Sequence, residues 1–480
     1  MVRESGQRLR KSEKILCILL LVFIIFGHVI KLGNVKVLGL TITLYRVGIP
    51  LLAWYYFVKT CMNKRQNLFN LNRTLLLFIL VMCYWFIIGC GMMLISQYSP
   101  LNDGIKELLN LLLGLFSVFC IVECCNKRVA FEYFLKLLKI IVSMLCLAGF
   151  VEMLIGFHLP SSKYFNYFSA EQFWSLFFRG LSTKQFFPVT SIFYGINDFA
   201  SFLAIFFPLF FIEKSMKTAV KMKNVVVMIG VAFILLVGDA NIAYITVAIG
   251  VIFMLALKII NRYFVGSFAI ILFMQQWGAQ CIAKVLFGVK SWFGSLGAVE
   301  RIVSEQVNLG SIWDSGAVAS LASTGEVIAV QMETAGQGYG SLYTRIMVMK
   351  DSIDMWLNSC LLGVGPSGYT HYLKKNGSRT EIVNPHNLWF EILSQYGIFV
   401  FVIYVGMLLY IFIKNIKFYF ESKDFILAQI LCILVSYVFA SIAPSNFLNY
   451  SYQWIVPALG IVLIKLHSKN KKIVGDLLNG

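Results

Sequence analysis

Long apolar runs with few charges alternate with short polar connections from one end of the chain to the other. They lie at about 15–30, 36–58, 74–96, 105–123, 133–157, 196–212, 224–238, 240–257, 263–280, 387–413, 425–443 and 453–466. A helix that crosses a bilayer needs ~20 mostly apolar residues. The pattern therefore predicts an all-α, polytopic membrane protein with about 12 spans. Lysine and arginine gather in every second connection, at 3–14, 59–73, 127–139, 214–223, 258–262, 414–423 and 465–472. Basic connections stay on the cytoplasmic side, so the alternation predicts an even number of crossings with both termini in the cytoplasm. The basic N-terminus followed by an apolar run imitates a signal peptide but has no small-residue cleavage site, which predicts a retained first span.

The same count places two longer connections outside, at about 158–195 and 281–386. The chain thus divides into nine spans over 1–280, a large extracytoplasmic loop over 281–386, and three spans with a cytoplasmic tail over 387–480. Within the loop, Ile346, Met349, Ile353 and Trp356 recur at helical spacing. That spacing predicts an amphipathic helix over 342–357 lying along the membrane surface.

Composition strengthens this reading. Of 480 residues, 59% are hydrophobic and 13% charged, against about 45–50% and 25% in soluble domains. A soluble enzyme and a nucleic-acid binder are excluded. The net charge of +18 follows the alternating connections and reads first as topology. Most of the 11 cysteines sit inside apolar runs as small hydrophobes, and none has zinc-ligand spacing, so no metal site is expected.

Candidate chemistry gathers at the predicted outer face. Asn384-Pro385-His386-Asn387 is a helix-start signal, which puts His386 in the first turn at the mouth of the tenth span. There the helix dipole disfavours the imidazolium and leaves an imidazole able to accept a proton. Arg345 opens the amphipathic segment, and Arg179, Arg301, Arg379, Lys163 and Lys184 are further outer-loop cations. Guanidinium groups suit a diphosphate because they contact its oxygens in bidentate fashion. Charges inside apolar runs are functional candidates. They are Arg46, expected mid-span and either paired with Glu152 or Asp239 or lining the substrate cavity, and Asp198 near the start of the sixth span. Gly363-Val364-Gly365-Pro366-Ser367-Gly368 spells GxGxxG but follows a helical segment rather than a strand, so a tight turn is predicted instead of a dinucleotide site.

Taken in order, Asn197-Asp198-Phe199-Ala200, Arg345 in a long outer loop, Leu362-Gly363-Val364-Gly365-Pro366, and Pro385-His386-Asn387 followed by Glu391-Ile392-Leu393 and Tyr396-Gly397-Ile398 resemble the O-antigen ligase and polymerase family. Within it the chain is most similar to polymerases of Gram-positive surface polysaccharides, such as those of teichuronic acid or capsule. The resemblance implies a twelve-span, GT-C-like glycosyltransferase of the plasma membrane. It would transfer an undecaprenyl-diphosphate-linked glycan to an acceptor hydroxyl on the outer face, with inversion and without metal or cofactor. His386 would be the general base, and Arg345 would bind the diphosphate with Arg46, Arg179 or Arg301 assisting. Asn387 and Glu391 would support the site, and other polysaccharide-assembly proteins of the membrane are expected partners. The sequence departs from the family at Gly238-Asp239, where a Ser-Arg pair is usual, and at the shortened element Ile196-Asn197-Asp198-Phe199-Ala200. A ligase acting on another acceptor, and a lipid-linked oligosaccharide flippase, are the rival readings. A carrier would favour charges at the membrane midplane and short outer loops.

Overall fold

A computed structural model describes residues 9–37, 40–63, 72–155, 158–163, 165, 189–212, 216–238, 240–257, 341–380, 384–444 and 447–478. Within these it is a helical bundle. The helices are α1 (Lys11–Phe26), α2 (Leu44–Asn63), α3 (Arg73–Ile95), α4 (Leu101–Cys124), α5 (Arg128–Ile155), α6 (Ile196–Phe206), α7 (Thr218–Val237), α8 (Asn241–Ala256), α9 (Ser341–Asn358), α10 (Gly368–Asn376), α11 (Leu388–Ser422), α12 (Phe425–Ala440) and α13 (Ile455–Leu478). Every predicted apolar run contains a helix except the ninth, which lies outside the described residues, as does most of the 281–386 loop. Five of the described helices are long and apolar enough to cross a membrane, and α6, α8 and α12 are shorter apolar helices. Exposed aliphatic residues such as Leu80, Ile87, Val226, Ile229 and Val402 cover the outside of the bundle. That is the surface a lipid solvent demands, and the protein is a membrane protein.

One expectation fails near the N-terminus. The second apolar run does not begin as a helix at 36. Instead β1 (Lys31–Val37) and β2 (Leu40–Thr43) form an antiparallel hairpin, and α2 starts only at Leu44. β-Branched Val35, Val37, Thr41, Ile42 and Thr43 around Gly39 favour strands, and pairing them satisfies backbone groups that precede the helix. Arg46 consequently lies in the first turn of α2 rather than mid-span.

Polar side chains in the interior repair backbone where helices break, because a lipid-facing solvent offers no hydrogen bonds. Pro208 turns the end of α6 into a 3₁₀ segment, Phe207–Phe210, and the buried Gln429 amide of α12 donates to the Pro208 and Leu209 carbonyls at 3.1 and 3.0 Å. The larger break is in α11, where Gly397 has φ +80°. The freed Ser394 and Gln395 carbonyls accept from the backbone N–H groups of Val364 and Gly365 at 2.8 and 2.9 Å, and Ile398 N–H donates to Leu361 O at 3.2 Å. Only glycines permit this docking. A Cβ on Gly363 (φ +88°) would lie 2.6 Å from the Gln395 backbone, and one on Gly397 2.6 Å from Leu362 O. The GxGxxG run is a tight turn, as predicted, and its physical task is to fill the break in α11. Beyond it, Ser367 N–H and its hydroxyl each donate to Glu107 at 2.8 Å, while Tyr396 donates to the other carboxylate oxygen at 2.6 Å. This buried carboxylate ties α4, the turn and α11 together.

α9 matches the predicted amphipathic helix. Val348, Ser352 and Met355 are buried against the bundle, while Ile346, Ile353 and Leu357 point outward. The outward apolar stripe suits a helix resting on lipid.

Candidate active site

The descending chain of α12 ends at Ser441, and the next two carbonyls become fixed acceptors. Ile442 O accepts from Arg345 Nη1 at 3.1 Å. Ala443 O accepts from the His386 imidazole. Leu388 N–H, at the start of α11, donates to Ser441 O at 3.0 Å, locking the two helix ends together. One turn of backbone therefore seats both sequence-predicted residues side by side. An imidazole that donates through one nitrogen presents the lone pair of the other.

His386 lies just outside α11, not in its first turn. Asn387 is the N-cap, and its side chain accepts from Trp389 N–H at 3.0 Å. Asn387 therefore shapes the helix start, as short polar caps do, and His386 takes the left-handed backbone, φ +38°. For a residue with a Cβ this costs roughly 1–2 kcal/mol, strain typical of functional positions. Burial, then the positive charges of Arg345 and Lys163, push its pKa down to about 4. The expected neutral imidazole is thus present, but desolvation and neighbouring cations keep it so, more than the helix dipole. Burial also lowers the Arg345 pKa.

Behind this pair lies a group of polar residues at the start of α6. Asp198 is buried, accepts from Gly195 N–H at 2.8 Å, and is hydrogen-bonded by Tyr450. Tyr452 donates to the Asp198 carbonyl at 3.2 Å. Lys163 acts electrostatically on both Asp198 and His386. Asp198 and Lys163 were named in the sequence without being joined to His386. Tyr450 was not singled out, although Tyr450 and Tyr452, immediately before the last apolar run, are aromatic residues with polar tips.

The other candidates scatter. Arg46 Nη1 donates to Thr41 O at 2.7 Å, within the hairpin, and its charge acts on His28. Glu152 binds neither Arg46 nor the site. Its buried carboxylate accepts from Thr190 N–H at 3.0 Å, Thr190 Oγ1 at 2.8 Å, Ser191 N–H and His158. Glu391 is buried in the first turn of α11, within electrostatic reach of Tyr369, Tyr396 and Tyr437. Arg179, Arg301 and Asp239 lie outside the described residues.

A neutral imidazole and a guanidinium are thus held side by side where α9, α11 and the end of α12 meet. Residues 224–405, which include Arg345 and His386, match the O-antigen ligase family. The chain is also similar to the teichuronic acid biosynthesis protein TuaE of Bacillus subtilis strain 168, with 22% identity over 405 residues, 82% of this chain and 73% of the relative. The resemblance to the O-antigen ligase and polymerase family holds.

Proposed function

We propose that the protein is a polymerase of a cell-surface polysaccharide that transfers glycan from an undecaprenyl diphosphate carrier to a hydroxyl of an acceptor glycan. The observation that carries this reading is the seating of Arg345 and His386 on the successive carbonyls of Ile442 and Ala443. The acceptor hydroxyl attacks the anomeric carbon as His386 removes its proton. A new C–O bond forms, the bond from that carbon to the diphosphate oxygen breaks, and its electron pair leaves with the carrier. Arg345 neutralises the charge appearing there, the kind of assistance worth roughly 3–4 kcal/mol when removed. The proton on His386 then passes to the diphosphate or to water. Attack from the face opposite the leaving group inverts the anomeric centre, and guanidinium charge takes the place a metal ion would fill.

The polymerase reading is favoured by the similarity to a teichuronic acid biosynthesis protein, and ligase chemistry by the family match itself. Both use this geometry. Chain-length analysis of surface glycan from a deletion strain separates them. Single repeat units accumulate without a polymerase, whereas full-length unattached chains accumulate without a ligase.

The topology belonging to this reading has about 12 spans, cytoplasmic termini in the plasma membrane, and the site on the outer face. A cysteine at Ser378 should react with an impermeant thiol reagent in intact cells, and one at Ser422 only after permeabilisation. Labelling of Ser422 from outside would reverse the orientation and remove the site from the outer leaflet.

A further inference from the structure

The cysteines inside apolar runs behave as small hydrophobes, but two of them meet. Cys17 of α1 and Cys124, the last residue of α4, place their sulfurs 3.2 Å apart, although 107 residues separate them in the chain. Both belong to the main hydrophobic core. A disulfide holds its sulfurs about 2.0 Å apart, so a small rotation of the two side chains converts this contact into a bond. The helices are already pinned at this level. Lys127, just after α4, lies 3.1 Å from Glu13, one turn before Cys17 on α1. Exposure separates the two thiols. Cys17 is wholly buried, whereas Cys124 is 9% exposed and stands two residues before the exposed Asn126. A small oxidant therefore meets Cys124 first, with Cys17 behind it. Cys125 is the alternative partner, but neighbouring Cα atoms are only ~3.8 Å apart, closer than the ~4.4–6.8 Å a disulfide usually spans. The Cys125 backbone is also held in the helix end, its N–H donating to Ile121 O at 2.9 Å.

We propose that Cys17 and Cys124 are a redox modification site, a dithiol that a peroxide oxidises to a disulfide stapling α1 to α4. The Cys124 thiolate attacks one peroxide oxygen. An S–O bond forms, the O–O bond breaks, and the departing hydroxide takes the thiol proton as water. The Cys17 sulfur then attacks the Cys124 sulfenic acid. The S–S bond forms, the S–O bond breaks, and hydroxide leaves with the Cys17 proton as a second water. Two thiols lose two electrons and the peroxide gains them. A thiol reductant reverses the bond. This end of the bundle is cytoplasmic in the proposed topology, where thiols rest reduced and disulfides are transient and redox-sensing. The inference does not depend on the glycan chemistry. Its physical effect is on the bundle, because a cross-link that closes a long loop restricts the unfolded chain strongly.

The test is hydrogen peroxide treatment of the full chain in lipid nanodiscs, followed by alkylation of the remaining thiols, digestion without reductant and mass spectrometry. The expected product is a peptide pair joined through Cys17 and Cys124, lighter than the two free peptides by two hydrogens and released by dithiothreitol. It should exceed any other cysteine pairing by about tenfold or more, as expected of sulfurs held in contact. This mapping is made on the wild-type chain and needs no variant to fold. Cys17→Ala should abolish the cross-link and leave Cys124 as a sulfenic acid that dimedone traps. The oxidised wild-type protein should also show a higher thermal midpoint in detergent than the reduced one, a rise that Cys17→Ala loses and Cys146→Ala keeps. Cys124 recovered unmodified after peroxide, or joined mainly to Cys125 or Cys61, overturns the inference. A cross-link that leaves the thermal midpoint unchanged removes the staple.

Discussion

At the end of the bundle where α1 begins, cations meet carboxylates. Lys127 lies 3.1 Å from Glu13, Arg128 Nη1 2.8 Å from Asp424, and Lys465 2.9 Å from Glu123. These pairs join α1, α5, α12, α4 and α13 across the basic connections. At the opposite end Arg345 and His386 are held by backbone carbonyls, and the charge of Lys163 acts on His386. The first arrangement neutralises charge, while the second keeps positive charge concentrated beside a neutral base. Backbone carbonyls are the reason it can. They fix the direction of a guanidinium or an imidazole without cancelling its charge or donating a proton. The basic residues of the first end dock helices through carboxylates, whereas at the second end Arg379 pairs with Asp351 and Asp354 while Arg345 rests on a main-chain carbonyl. Composition counts both alike, so the net charge of +18 conceals two different uses.

The contrast is sharpest at His386. His386→Ala should lower the transfer rate by about 10²- to 10⁴-fold with normal membrane insertion and with carrier binding retained, measured on purified protein with a synthetic lipid-linked donor. A rate within about twofold of wild type would reduce His386 to a helix-start residue. In the wild-type protein the neutral base should persist well below pH 6.5, the rate falling only as pH drops through about 4. The sign follows from a depressed pKa, since protonation removes the lone pair and occurs at lower pH than in free histidine.

Arg345→Lys keeps the charge but loses the planar fork, so donor binding should weaken by roughly tenfold at a bidentate phosphate contact. At a snorkelling site the same change would be nearly neutral, and isothermal binding distinguishes the two. Gly397→Ala addresses the scaffold. A positive-φ residue 2.6 Å from Leu362 O should destabilise by at least about 1–3 kcal/mol, read as a lower thermal midpoint in detergent. Transfer should fall with the loss of the α11 break. The smallest effect is expected at the opposite end. Arg128→Gln should cost about 0.2–1 kcal/mol, as partly exposed ion pairs do, and leave transfer unchanged. A large loss of transfer there would dissolve the distinction between the two ends.

The periodic alternation of apolar and basic segments determined the solvent, the helical class and most helix positions, because burial in lipid imposes a length and composition that each segment satisfies by itself. His386 and Arg345 were also legible, through a local helix-start pattern and an amphipathic segment that resemble the same motifs in a known family. What the sequence left open depends on contacts between distant segments. The part of the hairpin from 36 onward was read as the start of a span because its residues are as apolar as a helix would require, and only pairing between strands distinguishes the two. The glycines of 363–368 read as a turn and Gly397 as part of a span, yet each backbone break exists because the other approaches it. Asp198 and Tyr450 come together only when the start of α6 meets the turn before α13. The acceptors that seat Arg345 and His386 are main-chain carbonyls, which any residue carries, so no side-chain pattern announces them and only the folded backbone decides where they point.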